Sequence, residues 1–186
     1  MASGASIVSP SGEKWGFLAF CGFGREKLAG AGEEAVFRGV QHINMDAKGR
    51  LAIPARQRER LLEQCAGEIV VTIDTQSPCL IIYPMPAWER IEQDLQNLPS
   101  LNAAVKRFQR LVLGYATDVQ LDGNGRMLLP PSLRDYARLE KKLVLVGQGS
   151  KLELWCEDLW VEERDRALAD VGADEPLPDE LLNLPL

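Results

Sequence analysis

Two stretches of the chain carry the residue types from which a polyanion-binding surface is built. In the first, Asp46 precedes Lys48, Gly49 and Arg50, and Pro54 is followed by Arg56, Arg58 and Arg60. Five positive charges fall between positions 48 and 60, interrupted by one acid, Glu59. In the second, Asp122 precedes Asn124, Gly125 and Arg126, and Pro130 is followed by Arg134. Both read Asp-x-x-x-Arg across a glycine turn. An aspartate in that place can accept hydrogen bonds from turn N–H groups while the arginine pairs with it, which fastens a hairpin. The arginines and Lys48 admit two readings: a solvated basic face, or a face that meets DNA phosphates and forks an arginine onto guanine in the major groove.

No other chemistry is spelled out. There is no glycine-rich phosphate loop opening a helix and no Ser or Cys nucleophile near a histidine. Cys21, Cys65, Cys79 and Cys156 form no Cys-x-x-Cys pair, and His42 is the only histidine, so no metal or cofactor site is expected. Asp46 and Asp122 as an acid/base pair carry little weight, because paired carboxylates can be picked from any acidic chain. The chain is not expected to be an enzyme or to take a small-molecule substrate.

The elements that must position these residues are written twice. Ile43 to Arg58 matches Val119 to Arg134 without a gap, with Asp, Gly, Arg, Pro and Arg recurring at an offset of 76. Leu80 to Tyr83 with Trp88 then matches Leu152 to Trp155 with Trp160 at an offset of 72. Within each unit the pattern predicts strand, tight turn, strand, short helix, two strands and a longer helix. Asn124-Gly125 is a strong hairpin cue and Lys48-Gly49 a weaker one, since the turn needs positive φ. Pro54 and Pro130 can open helices over 55–65 and 131–138, where a missing N–H costs nothing. Val- and Ile-rich runs predict strands at 68–73, 79–83, 142–146 and 151–156. Helical spacing marks 86–98, 101–114 and 158–171; the second of these, with Val105, Phe108, Leu111 and Val112 on one face, is expected to pack between the units.

The net charge of −6 is unevenly spread. Residues 37–160 hold 16 basic against 15 acidic side chains, whereas residues 161–186 hold 2 against 8. The acidity belongs to the tail, and the doubled segment is close to neutral. Trp15 to Cys21 is too short an apolar run to span a bilayer, and Gly16, Gly22 and Gly24 break up any signal-like stretch, so no membrane association is expected.

From Phe37 to Trp160 the chain resembles the MraZ family, bacterial relatives of the AbrB and MazE swapped-hairpin DNA-binding proteins. The resemblance is carried by Phe37-Arg-Gly39, Asp46-Ala-Lys-Gly-Arg50-Leu-Ala-Ile-Pro54, Leu80-Ile-Ile-Tyr83-Pro, Asp122-Gly-Asn-Gly-Arg126-Met-Leu-Leu-Pro130, Val146-Gly-Gln and Leu152-Glu-Leu-Trp155. It implies an α+β, β-rich fold of two tandem AbrB-like swapped-hairpin β-barrel units with flanking helices, placed at 36–116 and 117–162. It also implies a cytoplasmic, nucleoid-associated ring homo-oligomer. Such a ring would bind short direct repeats in double-stranded promoter DNA and repress the division and cell-wall gene cluster that encodes it. Arg50 and Arg126 are the arginines expected to face DNA, with Lys48 and Arg38 beside them and Arg56 and Arg58 extending the surface. Asp46, Gly49, Pro54, Asp122, Gly125 and Pro130 carry the structural motif. Local charge makes the first unit the expected dominant contributor.

Family members usually begin at Met-Phe-Arg-Gly, and Val36 takes the methionine's place. Residues 1–35 are therefore expected to be disordered or a misassigned upstream extension, and residues 163–186 to finish a helix and trail as an acidic tail. The rival reading is an interaction protein, either a ring scaffold or an antitoxin-like partner binder whose Leu177, Leu181, Leu182 and Leu184 fold onto a partner.

Overall fold

Residues 36–99 and 102–171 are described by the structure, a computed structural model. The expectations for residues 1–35 and for the tail beyond 171 lie outside the described residues. The first repeat contributes β1 (Phe37–Asn44), β2 (Arg50–Ala52), α1 (Ala55–Cys65), β3 (Glu68–Ile73), β4 (Leu80–Pro84) and α2 (Met85–Asn97). After α3 (Ala103–Tyr115), the second contributes β5 (Thr117–Gln120), β6 (Arg126–Leu128), α4 (Pro131–Tyr136), β7 (Lys142–Gly149), β8 (Lys151–Cys156) and α5 (Glu157–Val171). The fold is mixed α+β, with five helices around a large antiparallel sheet.

That sheet has six strands in the order β1-β7-β8-β4-β3-β5, and β2 pairs with β6 in a separate two-stranded ribbon. Matched by repeat, β5 is the counterpart of β1, β7 of β3 and β8 of β4, so the order is a palindrome. The first strand of each repeat pairs with the third strand of the other: Ile43 opposite Leu143, and Val119 opposite Ile69. Both central pairings are self-symmetric. Leu51 faces Met127 at the middle of the ribbon, and Ile81 faces Glu153 at the middle of β4 and β8. The two repeats therefore share one sheet and are related by an approximate two-fold axis through those pairs.

The apolar runs become strands because both of their faces are covered. Along β3, Ile69, Val71 and Ile73 point into the main core with Leu51, Met127, Leu143 and Leu154, while Val70 packs under Trp88, Leu95 and Val112 of α2 and α3. Thr72 completes that second face by donating its hydroxyl to the Val112 carbonyl at 2.7 Å. The same division recurs on β7, where Val144 turns away from the core toward Cys79 and Trp155. Two equivalent aromatic pairs fix the longer helices to their strands, Tyr83 with Trp88 at 5.9 Å and Trp155 with Trp160 at 5.8 Å.

The helix expected at 101–114 forms as α3, and it packs on β3 and, through a hydrogen bond from the Gln109 side chain to the Leu95 carbonyl, on α2. Only Val112 of its apolar set is buried; Phe108 and Leu111 are each 43% exposed. Strand β7 runs three residues past its expected end because β1 pairs with it as far as Phe37 opposite Gly149. The helix expected at 131–138 stops at Tyr136, and Arg138 follows with φ +49°. Among the described residues no helix is long and apolar enough to cross a membrane.

Candidate nucleic-acid interface

Each Asp-x-x-x-Arg segment closes a turn through one carboxylate. Asp46 Oδ1 accepts from the backbone N–H of Lys48 and of Arg50, both at 2.9 Å, and Asp122 Oδ1 accepts from Asn124 and Arg126, both at 2.8 Å. The turn glycines donate back to the aspartate carbonyls, with φ +84° at Gly49 and +71° at Gly125. Only glycine adopts that conformation at low cost. Both aspartates thus accept the turn N–H groups as the sequence suggests, while the arginine pairing read with it forms at Asp46 and not at Asp122.

These bonds hold both carboxyls below the usual carboxylate range. At Asp46 the Arg50 backbone N–H is the largest cause, followed by the Arg50 side chain, whose Nε donates to Oδ2 at 2.7 Å. At Asp122 the largest cause is again the backbone N–H, here of Arg126. The side chains differ. Asp46 grips Arg50 by Nε and leaves its two terminal nitrogens without a hydrogen bond, whereas the Arg126 guanidinium has no hydrogen bond or ion pair among the described residues.

Alternation along the ribbon sets which residues face out. Leu51 and Met127 are buried at its inner face, and Arg50, Ala52, Arg126 and Leu128 are exposed on the outer one. Arg50 pairs with Leu128 and Arg126 with Ala52, so the two arginines are diagonal neighbours, roughly 7–8 Å apart by antiparallel geometry. Lys141, which local sequence did not single out, joins them: its carbonyl accepts from Met45 at 2.9 Å. With Asn44, Asp46, Arg50 and Arg126 it lines an open groove of about 480 Å³ beside the first turn.

Strand exchange also redistributes the helix arginines. Arg58, in α1, donates through Nη1 to the Asn124 carbonyl at 3.1 Å, and its side chain lies against Gly125. Its counterpart Arg134 lies against Gly49. A cation counted with the first repeat therefore sits on the second turn, the one that lacks a lysine. Arg60 donates to the Val36 carbonyl, and Arg56 is exposed in the first turn of α1. Arg38 lies at the far end of β1 from Asp46, roughly 25 Å of extended strand away, and is not brought to the ribbon. Pro54 and Pro130 each stand immediately before their helix in extended conformation, as expected of helix-opening prolines. His42 pairs with Glu157 at 2.9 Å, which ties β1 to the start of α5.

Among the described residues no group of three or more His, Cys, Asp or Glu side chains could hold a metal ion. The outer ribbon is instead a cationic face with two planar, fork-shaped donors and no burial to compete for them, a surface suited to phosphates and base edges.

The profile of the family described as "MraZ protein, putative antitoxin-like" matches residues 36–111 and 112–170. The chain belongs to the MraZ family. Its boundary between the two matched segments falls within α3, and each MraZ segment holds one Asp-x-x-x-Arg turn. Among MraZ relatives, a protein of Alkalilimnicola ehrlichii named "Transcriptional regulator MraZ" is 55% identical over 151 residues, 81% of this chain and 100% of that one. The protein of the same name from Halorhodospira halophila is 54% identical over 81% of this chain and 100% of its own length. The one from Pseudomonas aeruginosa is 52% identical over 80% and 99%.

Proposed function

We propose that the chain is a transcriptional regulator that binds double-stranded DNA in a sequence-specific way, with the β2 and β6 ribbon as its reading surface. The observation that carries this reading is the placement of Arg50 and Arg126 side by side on the exposed face of one two-stranded ribbon. A B-DNA major groove is wide enough, at roughly 12 Å, to admit such a ribbon. Lys48, Lys141 and Arg56 lie around it as phosphate partners, and Arg58 and Arg134 brace the two turns. The exchanged strand pairing supports reading the repeats at 36–116 and 117–162 as AbrB-like swapped-hairpin units. The family names of the relatives support regulation rather than catalysis.

The finer reading follows the family. Chains assemble into a ring, so that several ribbons engage direct repeats in the promoter by avidity, and the regulated genes are the division and cell-wall cluster that includes its own. An acidic protein can bind DNA in this way because no single ribbon needs a large field.

The test is binding of the whole chain to the DNA upstream of its own gene, beside unrelated duplex, across a salt series. Specific binding is expected to weaken steeply with salt, as phosphate neutralisation releases counterions. Arg50→Ala is expected to cost about 1–3 kcal/mol of discrimination, and Arg126→Ala a similar amount, while Arg38→Ala changes nothing. Equal binding to both duplexes, or indifference to the arginines, would transfer the case to a scaffold or partner-binding protein.

A further inference from the structure

The ribbon's scaffold is two-fold, yet its reading face is not. Arg50 stands opposite Leu128, and Arg126 opposite Ala52. Residues 52 and 128 are exact counterparts in the repeat, so one arginine has a tall aliphatic neighbour and the other a single methyl. Leu128 is 58% exposed, while the residues on either side of it, Met127 and Leu129, are 2% and 1% exposed. The core is filled without it. A largely exposed aliphatic side chain that belongs to no core cluster and stands opposite Arg50 on a cationic face suits an apolar partner within a polyanion.

Resting on the DNA-binding reading above, we propose that Leu128 contacts a thymine 5-methyl group next to the base or phosphate engaged by Arg50. That methyl is the only apolar group a major-groove edge presents, and aliphatic side chains pair with it. An apolar protein surface fits less well, because covering Leu128 would also desolvate Arg50 and Arg126 without neutralising them. The contact gives the ribbon a direction. A reader with two identical halves matches an inverted repeat, since operator palindromy mirrors protein symmetry. A ribbon that reads thymine on the Arg50 side alone distinguishes the two orientations of a site and so matches repeats that run the same way.

The experiment uses the whole chain and a duplex carrying the DNA immediately upstream of its own gene. Each thymine is replaced in turn by uracil, which removes the methyl and keeps the hydrogen-bonding edge. Wild type, Leu128→Ala and Ala52→Leu are compared by fluorescence anisotropy, with thermal unfolding as a check that all three are folded. Uracil at one position per repeat unit is expected to weaken wild-type binding roughly three- to fivefold, the worth of one buried methyl. Leu128→Ala is expected to bind the thymine and uracil duplexes equally at that position, and Ala52→Leu to gain a second sensitive position. The inference is overturned if no uracil substitution affects the wild type, or if Leu128→Ala keeps the full thymine preference. A Leu128→Ala chain with altered assembly mass and an unchanged thymine preference overturns it as well, by assigning the side chain to a contact between copies. Failure of the wild type to prefer its upstream DNA at all would instead strike the DNA-binding reading itself.

Discussion

Asp46 closes a turn and aims a side chain with the same carboxylate. One oxygen takes two backbone N–H groups, and the other takes Arg50 Nε, which leaves the terminal nitrogens of a half-exposed guanidinium without a hydrogen bond among the described residues. Asp122 does only the first of these. Because both carboxyls are held below their ordinary value of 3.8, the turns are at full strength above that pH, and their contribution is lost as the pH falls through the lowered values. Carboxyl NMR titration is expected to place both midpoints below 3.8. Arg50→Ala should raise the Asp46 midpoint part of the way, since the backbone N–H of residue 50 remains, and should move Asp122 less. Equal movement of the two would mean that the Asp46 to Arg50 pair is not formed in solution. Much of this residue-level design was legible, because Asp, Gly and Arg at fixed spacing around a turn leave few geometries. That Arg50 and Arg126 differ was not, as the two motifs read alike.

Element by element, the sequence located β3 and β8 to the residue and α1 at both ends, since proline before a helix and glycine at positive φ mark boundaries chemically. Partnership was another matter. A period of two specifies which face of a strand is buried and says nothing of which strand lies beside it, so the exchange of β1 and β5 between repeats was not legible in the residue pattern, and a swapped hairpin was expected from the family resemblance alone. Arg58 belongs by sequence to the first repeat and lies on the second turn, where an added Cβ at Gly125 would come within 2.0 Å of its Cδ. Gly125→Ala is therefore expected to cost more than the roughly 1–2 kcal/mol of a left-handed backbone alone. Gly39→Ala serves as the comparison: its φ is +96°, but nothing lies within 4 Å of a new Cβ. Urea unfolding of the two variants checks the difference, and equal losses would mean that Arg58 moves aside freely.

On the scale of the whole molecule, α3 leaves Phe108 and Leu111 uncovered and carries Lys106, Arg107 and Arg110 with no acid. Further along the chain α5 exposes Val161 and Leu168 among an excess of acids. The two faces differ in charge, one basic and one acidic, and a contact between them on separate copies would be heterologous, the type that the proposed ring requires. If copies assemble through these faces as proposed, Phe108→Glu combined with Leu111→Glu lowers the mass measured by light scattering and leaves the secondary structure intact. An unchanged mass would remove α3 from the assembly surface. The spacing of Phe108 and Leu111 predicts a packed stripe, yet three- and four-residue periodicity reports an apolar face without saying whether the same chain covers it.

The crossed pairing of the two repeats also sets the order of events at the ribosome. Phe37 emerges early, yet its partner Gly149 comes near the end of the sheet, and at synthesis rates of roughly 5–20 residues per second β1 waits about 6–22 seconds for β7. During that wait the first repeat offers open strand edges to any neighbouring nascent chain that has reached the same stage. Chains translated on one message can thus trade strands before either is finished. The α3 connection counters this by keeping the matching repeat on the same polypeptide, where its local concentration far exceeds that of a neighbour.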